Sequence, residues 1–300
     1  MSGLSLLAAL KAFDAIARAG SMTGAAHTLG LQQPTLSAHI ARLEQVHGVE
    51  LFQRRGRRLE LTDFGRLLLD HTRRIFSAEQ DAQALLLAAQ NRYAGRLVIH
   101  AIGPYNVVPI LRVFARRYPQ VSLVVKVGDS RTIVSRILDH QGDVGLVLNP
   151  RLDPALDCLE HRRQPLVVFA AADHPLASQK AVCMRDLHQQ RFVIREEGST
   201  TRRVFEEAMQ RQGLAFQVAV EMGSREAVRE AVAQGMGLGV VADTAYVADM
   251  RLVKLPVLDS DMATHVHLIC RRERRDSPLI AALFEVAAEL RGSDRSIGAT

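Results

Sequence analysis

The chain has 300 residues, 38 of them basic and 32 acidic, with a formal net charge of +6 and a hydrophobic fraction of 48%. At about 150 residues per domain this length points to two domains with real cores, and the composition excludes a chain that is mainly disordered. Cys158, Cys183 and Cys270 are far apart, odd in number and without a CxxC pair, which argues against a disulfide framework or structural zinc and fits a reducing, cytoplasmic setting.

The chain opens on an apolar run, Leu4 to Leu10, followed rather than preceded by Lys11. That order is wrong for a secretory signal. No later run approaches the roughly 20 apolar residues of a membrane helix, so no membrane partner is expected. Leu6, Leu10, Phe13 and Ala17 recur at helical spacing, Gly20 ends that helix and Ser21 caps the next. The second helix, 22–29, carries Ala25 and Ala26, small enough for close helix packing, and Gly30 supplies a left-handed turn. Gln32 and Gln33 precede Pro34, a favoured first helical residue. A third helix over about 34–46 buries Leu36, Ile40 and Leu43 and shows Pro34, Thr35, Ser37, Ala38 and Arg42 on its other face. This is a helix-turn-helix pattern with a short polar face.

Arg54, Arg55, Gly56, Arg57 and Arg58 follow, then Leu59, Glu60 and Leu61 in strand-like alternation. A hairpin with Gly56 at its tip presents four arginines to phosphate or a minor groove. Residues 1–62 hold seven basic against four acidic side chains, and a pI near 9.6 for the chain agrees with a polyanionic partner. The residues alone leave open a protein-binding module with a solvated charged face.

One ordered series of residues narrows the choice: Gly20, Ser21, Met22, Thr23, Gly24, Ala25 and Ala26, then Leu29, then Gln32, Gln33, Pro34, Thr35, Leu36 and Ser37, then Leu43 and Glu44, then Gly48, Val49, Glu50, Leu51, Phe52, Gln53 and Arg54, then Leu61, Thr62, Asp63, Phe64 and Gly65. It resembles the LysR-type transcriptional regulators over essentially the whole N-terminal region. The resemblance implies a winged helix-turn-helix bound to double-stranded DNA, with Gln32, Gln33, Pro34, Thr35, Ser37 and Arg42 facing the bases. Arg54, Arg55, Arg57 and Arg58 are expected mainly on phosphate.

Thr62 is a plausible cap for a long helix. Phe64, Leu68, His71, Ile75, Ala78, Ala82, Leu85 and Ala89 step alternately by four and three, the period of a coiled-coil seam. At about 1.5 Å per residue the helix runs roughly 40 Å. Packing on its own domain is the plainer role. The resemblance favours a dimerisation helix, hence a homodimer on a two-fold related site, with pairing into a homotetramer and contact with RNA polymerase as further expectations.

From Arg96 onward, β-rich stretches at 96–102, 121–127, 143–148, 166–170, 191–195, 218–221, 239–241 and 265–270 alternate with amphipathic helices. This predicts an α/β fold with mainly parallel sheets. Ligands in such sheets bind beyond the carboxyl ends of strands, here Gly103, Pro104 and Tyr105 after one strand and Ser199, Thr200, Thr201 and Arg202 after another. A Gly-Ser-Thr-Thr turn opening a helix offers free N–H groups, hydroxyls and a positive dipole end, and Arg202 adds a guanidinium, together an anion cradle. Helix capping by Ser199 or Thr200 is the simpler role, with ligand contact expected on top of it. A second polar turn is Gly223, Ser224, Arg225 and Glu226, while Gly235, Gly237 and Gly239 make a helix-to-strand turn rather than a dinucleotide fingerprint.

This region also resembles the LysR effector-binding domain, a two-lobed, periplasmic-binding-protein-like fold. The implied organisation is an all-α winged helix-turn-helix at 1–61, a linker helix at 62–92 and an α/β effector-binding domain at 93–300. Lobe I takes about 93–163 and 266–295, and lobe II about 164–265. The resemblance implies a small, anionic effector between the lobes, touching Gly103, Pro104, Tyr105, Ser199, Thr200, Thr201, Arg202 and Ser224. The stretches Arg195 to Arg202, Phe205 to Ala208 and Gly223 to Val232 further look like the branch associated with aminoethylphosphonate catabolism, implying 2-aminoethylphosphonate or a breakdown product as effector. His265 and His267 lack a third ligand nearby, and no GxSxG, HExxH or P-loop is present. No catalytic residue, metal or cofactor is expected, which disfavours an enzyme. A solute-binding protein with an accessory basic domain is disfavoured by the missing secretion signal.

Overall fold

Apolar residues spaced for one face each build the first three helices, α1 (Leu6–Ala19), α2 (Met22–Leu29) and α3 (Gln33–His47). The computed structural model describes residues 6–55, 58–151 and 153–297, without the side chains of Arg58 and of residues 292–297. Two compact units are present, one ending at Gln90 and one starting at Asn91, the short stretch Asp139–Gln141 aside.

In the first unit, the Ser21 hydroxyl accepts from Gly24 N–H and caps α2. Gly30, at φ 64°, lets the chain turn left and donate back to the Ala26 and His27 carbonyls. Phe13, Ile16, Ala25, Ala26, Leu36, Ile40 and Leu51 meet in one core. Strands β1 (Phe52–Arg55) and β2 (Arg58–Leu61) pair antiparallel as the expected hairpin, in register Arg55 opposite Arg58. Its tip at Gly56 and Arg57 lies outside the described residues. Helix α4 (Asp63–Ala88) is capped by Thr62, whose hydroxyl accepts from Gly65 N–H at 2.9 Å. Its buried stripe is Gly65, Leu69, Thr72 and Phe76. The 3.5-period stripe lies elsewhere on the helix, with Phe64, His71, Ile75, Ala78, Ala82 and Leu85 exposed.

The second unit begins with β3 (Gly95–Ala101), α5 (Pro104–Arg117), β4 (Val121–Val127), α6 (Ser130–Leu138) and β5 (Val144–Leu148). These make a parallel β4-β3-β5 sheet over Leu97, Ile99, Ile110, Phe114, Ile133 and Ile137. Then β6 (Leu156–Ala171) runs through both lobes. Its first half pairs antiparallel with β11 (Ala263–Arg271), which borders β5. Its second half pairs with β9 (Gly239–Ala242) and β10 (Leu252–Leu255). Lobe II adds the parallel pair β7 (Arg191–Arg195) and β8 (Gln217–Met222), with α7 (Thr200–Arg211) and α8 (Arg225–Ala233) packed over Phe192, Phe205, Val228 and Val232. The C-terminal helix α9 (Pro278–Ile297) returns to lobe I, where Glu289 pairs with Arg117 of α5 at 2.8 Å.

Two expectations are corrected. The strand read at 166–170 is the second half of a 16-residue strand. The first half alternates polar residues, so its apolar signal is weak. The sheets are also less parallel than expected, because β6, β9, β10 and β11 all pair antiparallel where the chain passes between lobes. Among the described residues no helix is long and apolar enough to cross a membrane.

Candidate functional site

Helix α3 leaves its first turn open. Gln32 is the N-cap residue but makes no side-chain cap bond, so its amide is not used by the helix. Gln32, Gln33, Pro34, Thr35 and Arg42 are exposed, Ser37 is half-buried, and Leu36, Ile40 and Leu43 hold the opposite face in the core. The Thr23 hydroxyl and the Gln33 side-chain oxygen stand 3.2 Å apart, tying α2 to the start of α3. Glu44, on α3, accepts from the backbone N–H groups of Leu51 (2.7 Å) and Phe52 (3.4 Å) and so fixes where the hairpin leaves the helix. Arg54 and Arg55 are exposed; among the described residues Arg55 has only Glu60 in reach, at 4.0 Å. Arg57 lies outside the described residues, and Arg58 is placed by its backbone alone.

The second candidate site lies between the lobes of the C-terminal unit. Gly103 lies between β3 and α5 as the N-cap residue of α5; Tyr105, the second residue of that helix, lines a cavity of about 30 Å³ with Phe169, Arg225, Glu226, Arg229, Val241 and Tyr246. A neighbouring cavity of about 20 Å³ is lined by Arg195, Thr201, Val228 and Val240 and shares Phe169, Arg225 and Val241 with the first. The expected residues divide around these cavities. Gly103, Tyr105 and buried Thr201 converge near Arg225. Ser199 and Ser224 cap α7 and α8, accepting from Arg202 and Ala227 N–H. Pro104 is exposed, and Thr200 is half-buried at the start of α7.

Arg202 differs most from expectation. Its Nε donates to Glu206 at 2.7 Å, and its Nη1 donates to Glu221 at 2.7 Å and to the Arg195 carbonyl at 3.0 Å. The hydrogen bond to Glu206, seconded by Glu221, holds its pKa above the usual arginine value. An anion would have to compete with two carboxylates for this guanidinium. Arg195 is likewise clamped to Glu196 by two bonds of 2.6 Å.

Arg225 is the cation that sequence reasoning missed. It is largely buried, donates from Nη1 to the Ile102 carbonyl at 3.0 Å, and has no carboxylate partner at ion-pair distance among the described residues. Burial, with the Arg195 charge beside it, holds its pKa below the usual arginine value. The available signal was its position: Arg225 opens α8, where the helix dipole disfavours a cation.

Elsewhere, His265 Nδ1 sits 2.9 Å from Glu160 and His267 Nδ1 sits 3.0 Å from the His265 carbonyl, an internal chain of contacts on β11. Burial pushes the Cys270 thiol up to about 12 and also raises Cys158.

Residues 7–66 match the model of the bacterial regulatory helix-turn-helix protein, lysR family, and residues 90–291 match the LysR substrate binding domain. A RuBisCO operon transcriptional regulator from Allochromatium vinosum is 31% identical over 281 residues, spanning 92% of this chain and 93% of the relative. Full-length CbnR in complex with its target DNA superposes with a TM-score of 0.70 at 21% identity, covering 95% of this chain and 100% of that one. The regulatory domain of CcmR from Synechocystis PCC6803, in complex with 2-PG, gives 0.60 at 26% identity over 65% of this chain and 97% of that one. These matches are to regulators, not enzymes. The chain belongs to the LysR family: it is a DNA-binding transcriptional regulator with a C-terminal domain for a small-molecule effector.

Proposed function

We propose that this regulator reads its operator with the exposed face of α3, grips phosphate with the hairpin arginines, and responds to a small anionic effector held between the lobes. The observation that carries the effector reading is the pair of cavities at the strand ends, walled by Tyr105, Phe169 and Val241 and supplied with Thr201, Arg195 and Arg225. At about 30 and 20 Å³ they are far smaller than a whole ligand, so the lobes part to admit one and close on it, and a few convergent polar groups on apolar walls orient it. Gly103, Pro104, Ser199, Thr200, Arg202 and Ser224 frame this cleft. The exposed seam of α4 supports a homodimer, and two DNA-binding heads on a dimer suit a two-fold related operator. Pairing of dimers and contact with RNA polymerase extend the same reading.

The finer proposal is that the effector is 2-aminoethylphosphonate or a product of its breakdown. The arginines suit its oxyanion. Asp129, on lobe I, is near enough to Glu196, on lobe II, to act on it electrostatically, although against its burial the hydrogen bonds from Arg195 hold the Glu196 carboxyl below its usual range; carboxylates on both lobes suit an ammonium group. The test is titration of the labelled promoter fragment with the full-length protein, with and without 2-aminoethylphosphonate. Selective binding over random duplex, shifted by the compound, is the expected result. Selective binding that no candidate metabolite alters removes the effector reading; no selectivity at all removes the operator reading.

A further inference from the structure

We propose that Arg225 is the residue that neutralises the effector's anionic group, and that the same guanidinium is the clasp between the two lobes. The inference rests on the interlobe cleft being the effector site.

Arg225 belongs to lobe II and Ile102 to lobe I, so the 3.0 Å bond from Nη1 to the Ile102 carbonyl crosses the cleft directly. A guanidinium has five N–H donors, the one protein bond described uses Nη1 alone, and no carboxylate stands at ion-pair distance among the described residues, with Glu226 and Glu196 acting on the charge only from farther away. Two other arginines near the cleft are answered, Arg195 by Glu196 and Arg202 by Glu206 and Glu221; Arg229, which lines the first cavity, has a buried Nε without a hydrogen-bond partner among the described residues, but it is Arg225 that bonds across to lobe I. Arg225 is also the first residue of α8, at the positive end of the helix dipole. A largely buried cation at that place is unfavourable by itself and favourable once an anion joins it, because the anion meets the guanidinium and the helix N-terminus together.

Room for this arrangement comes from Gly103. A Cβ there would collide with Arg225 Nη1, and the glycine's φ of +154° is one that side chains rarely adopt. The guanidinium takes its present place against the Ile102 carbonyl because the next residue has no side chain, and a Cβ there would push its tip aside. The two cavities flank Arg225 and share Phe169 and Val241 as walls. Each has the space of one or two waters, so an anion enters only as the lobes part, and the close walls around Arg225 suit a compact oxyanion: carboxylate, phosphate, phosphonate or sulfate. The apolar walls strengthen a charge pair formed there relative to water. Without the anion, lobe closure buries an uncompensated charge; with it, closure completes an ion pair.

The test uses inorganic phosphate as the probe and the thermal unfolding of the full-length protein, with sodium chloride at matched ionic strength as the control. The wild type is expected to show a saturable phosphate-dependent rise in Tm. In Arg225→Gln the apparent affinity for phosphate should fall about tenfold or more, while stability without phosphate stays equal to the wild type or rises. Gly103→Ala should keep the charge but weaken the phosphate response by displacing the clasp. An Arg225→Gln protein with unchanged phosphate affinity overturns the proposal. So does one that unfolds without phosphate, since the guanidinium would then be a structural prop. A full response in Gly103→Ala overturns the clasp. A metabolite that shifts operator binding equally in wild type and Arg225→Gln would leave the effector reading standing and remove this one; if no candidate metabolite shifts operator binding, the effector reading falls and this proposal falls with it.

Discussion

At the scale of single residues, space and solvation decide what a position tolerates. Gly65 lies under the chain that enters the hairpin, and a Cβ there would overlap the Leu51 carbonyl oxygen. Backbone cannot yield as a side-chain tip can, so Gly65→Ala should destabilise the helix-turn-helix unit by about 2–3 kcal/mol, read as a lowered urea midpoint. Cys270 is fully buried, and desolvation pushes its thiol up to about 12. Thiolate is the reactive form, so Cys270 should stay unmodified by iodoacetamide near neutral pH in the native protein and react on unfolding. Peptide mass spectrometry checks this; early native labelling of Cys270 would contradict the burial argument. The sequence exposed such residues unevenly. Ser21 and Thr62 announce themselves as caps because a hydroxyl before a helical run has one cheap partner. Arg202 reads as an anion ligand by its position in a Ser-Thr turn, and only the fold shows Glu206 and Glu221 occupying it. Arg225 hides because a single arginine in a polar turn looks solvated.

At the scale of elements, pattern is informative where one element meets one environment. Helix α4 carries two superposed periods, and the structure separates them. Gly65, Leu69, Thr72 and Phe76 face inward, whereas Ile75 and Leu85 remain 40% and 62% exposed. Exposed apolar side chains at coiled-coil spacing on a helix of 26 residues indicate a partner helix. Introducing Ile75→Glu together with Leu85→Glu should leave the helix folded, yet place charge in that seam and convert the proposed dimer to monomer in sedimentation velocity experiments. Unchanged sedimentation would remove α4 as the dimer contact. Strand β6 shows the opposite case. Its half in lobe II is continuously apolar because it is covered on both faces, and it is legible. Its half in lobe I, containing Glu160, Arg162 and Arg163, carries a polar pattern that no single-strand signal recovers. Gln164 is nevertheless buried, bonding Thr264 at 3.0 Å and Thr244 at 2.6 Å where the strand passes between lobes.

For the molecule as a whole, affinity for DNA and selectivity among sequences come from different surfaces, and the two respond differently to salt. Each arginine on a phosphate releases condensed counterions, so log K falls with log salt by roughly 0.9 per contact. Arg54 and Arg55 are exposed on β1, and among the described residues only the distant Glu60 competes for Arg55, so both are available to phosphate. Arg54→Ala and Arg55→Ala should each weaken binding to operator and random duplex alike, and flatten the salt slope by about 1. Arg42 stands instead on the exposed face of α3, opposite the buried Leu36, Ile40 and Leu43 stripe. Loss of a base contact costs about 1–3 kcal/mol at its own position, so Arg42→Ala should narrow the gap between operator and random duplex while leaving the random-duplex slope in place. Fluorescence anisotropy across a salt series, on both duplexes, separates the two classes. If Arg42→Ala lowered both affinities equally, or the hairpin variants lost only operator binding, the assignment of base reading to α3 and phosphate binding to the hairpin would have to be exchanged.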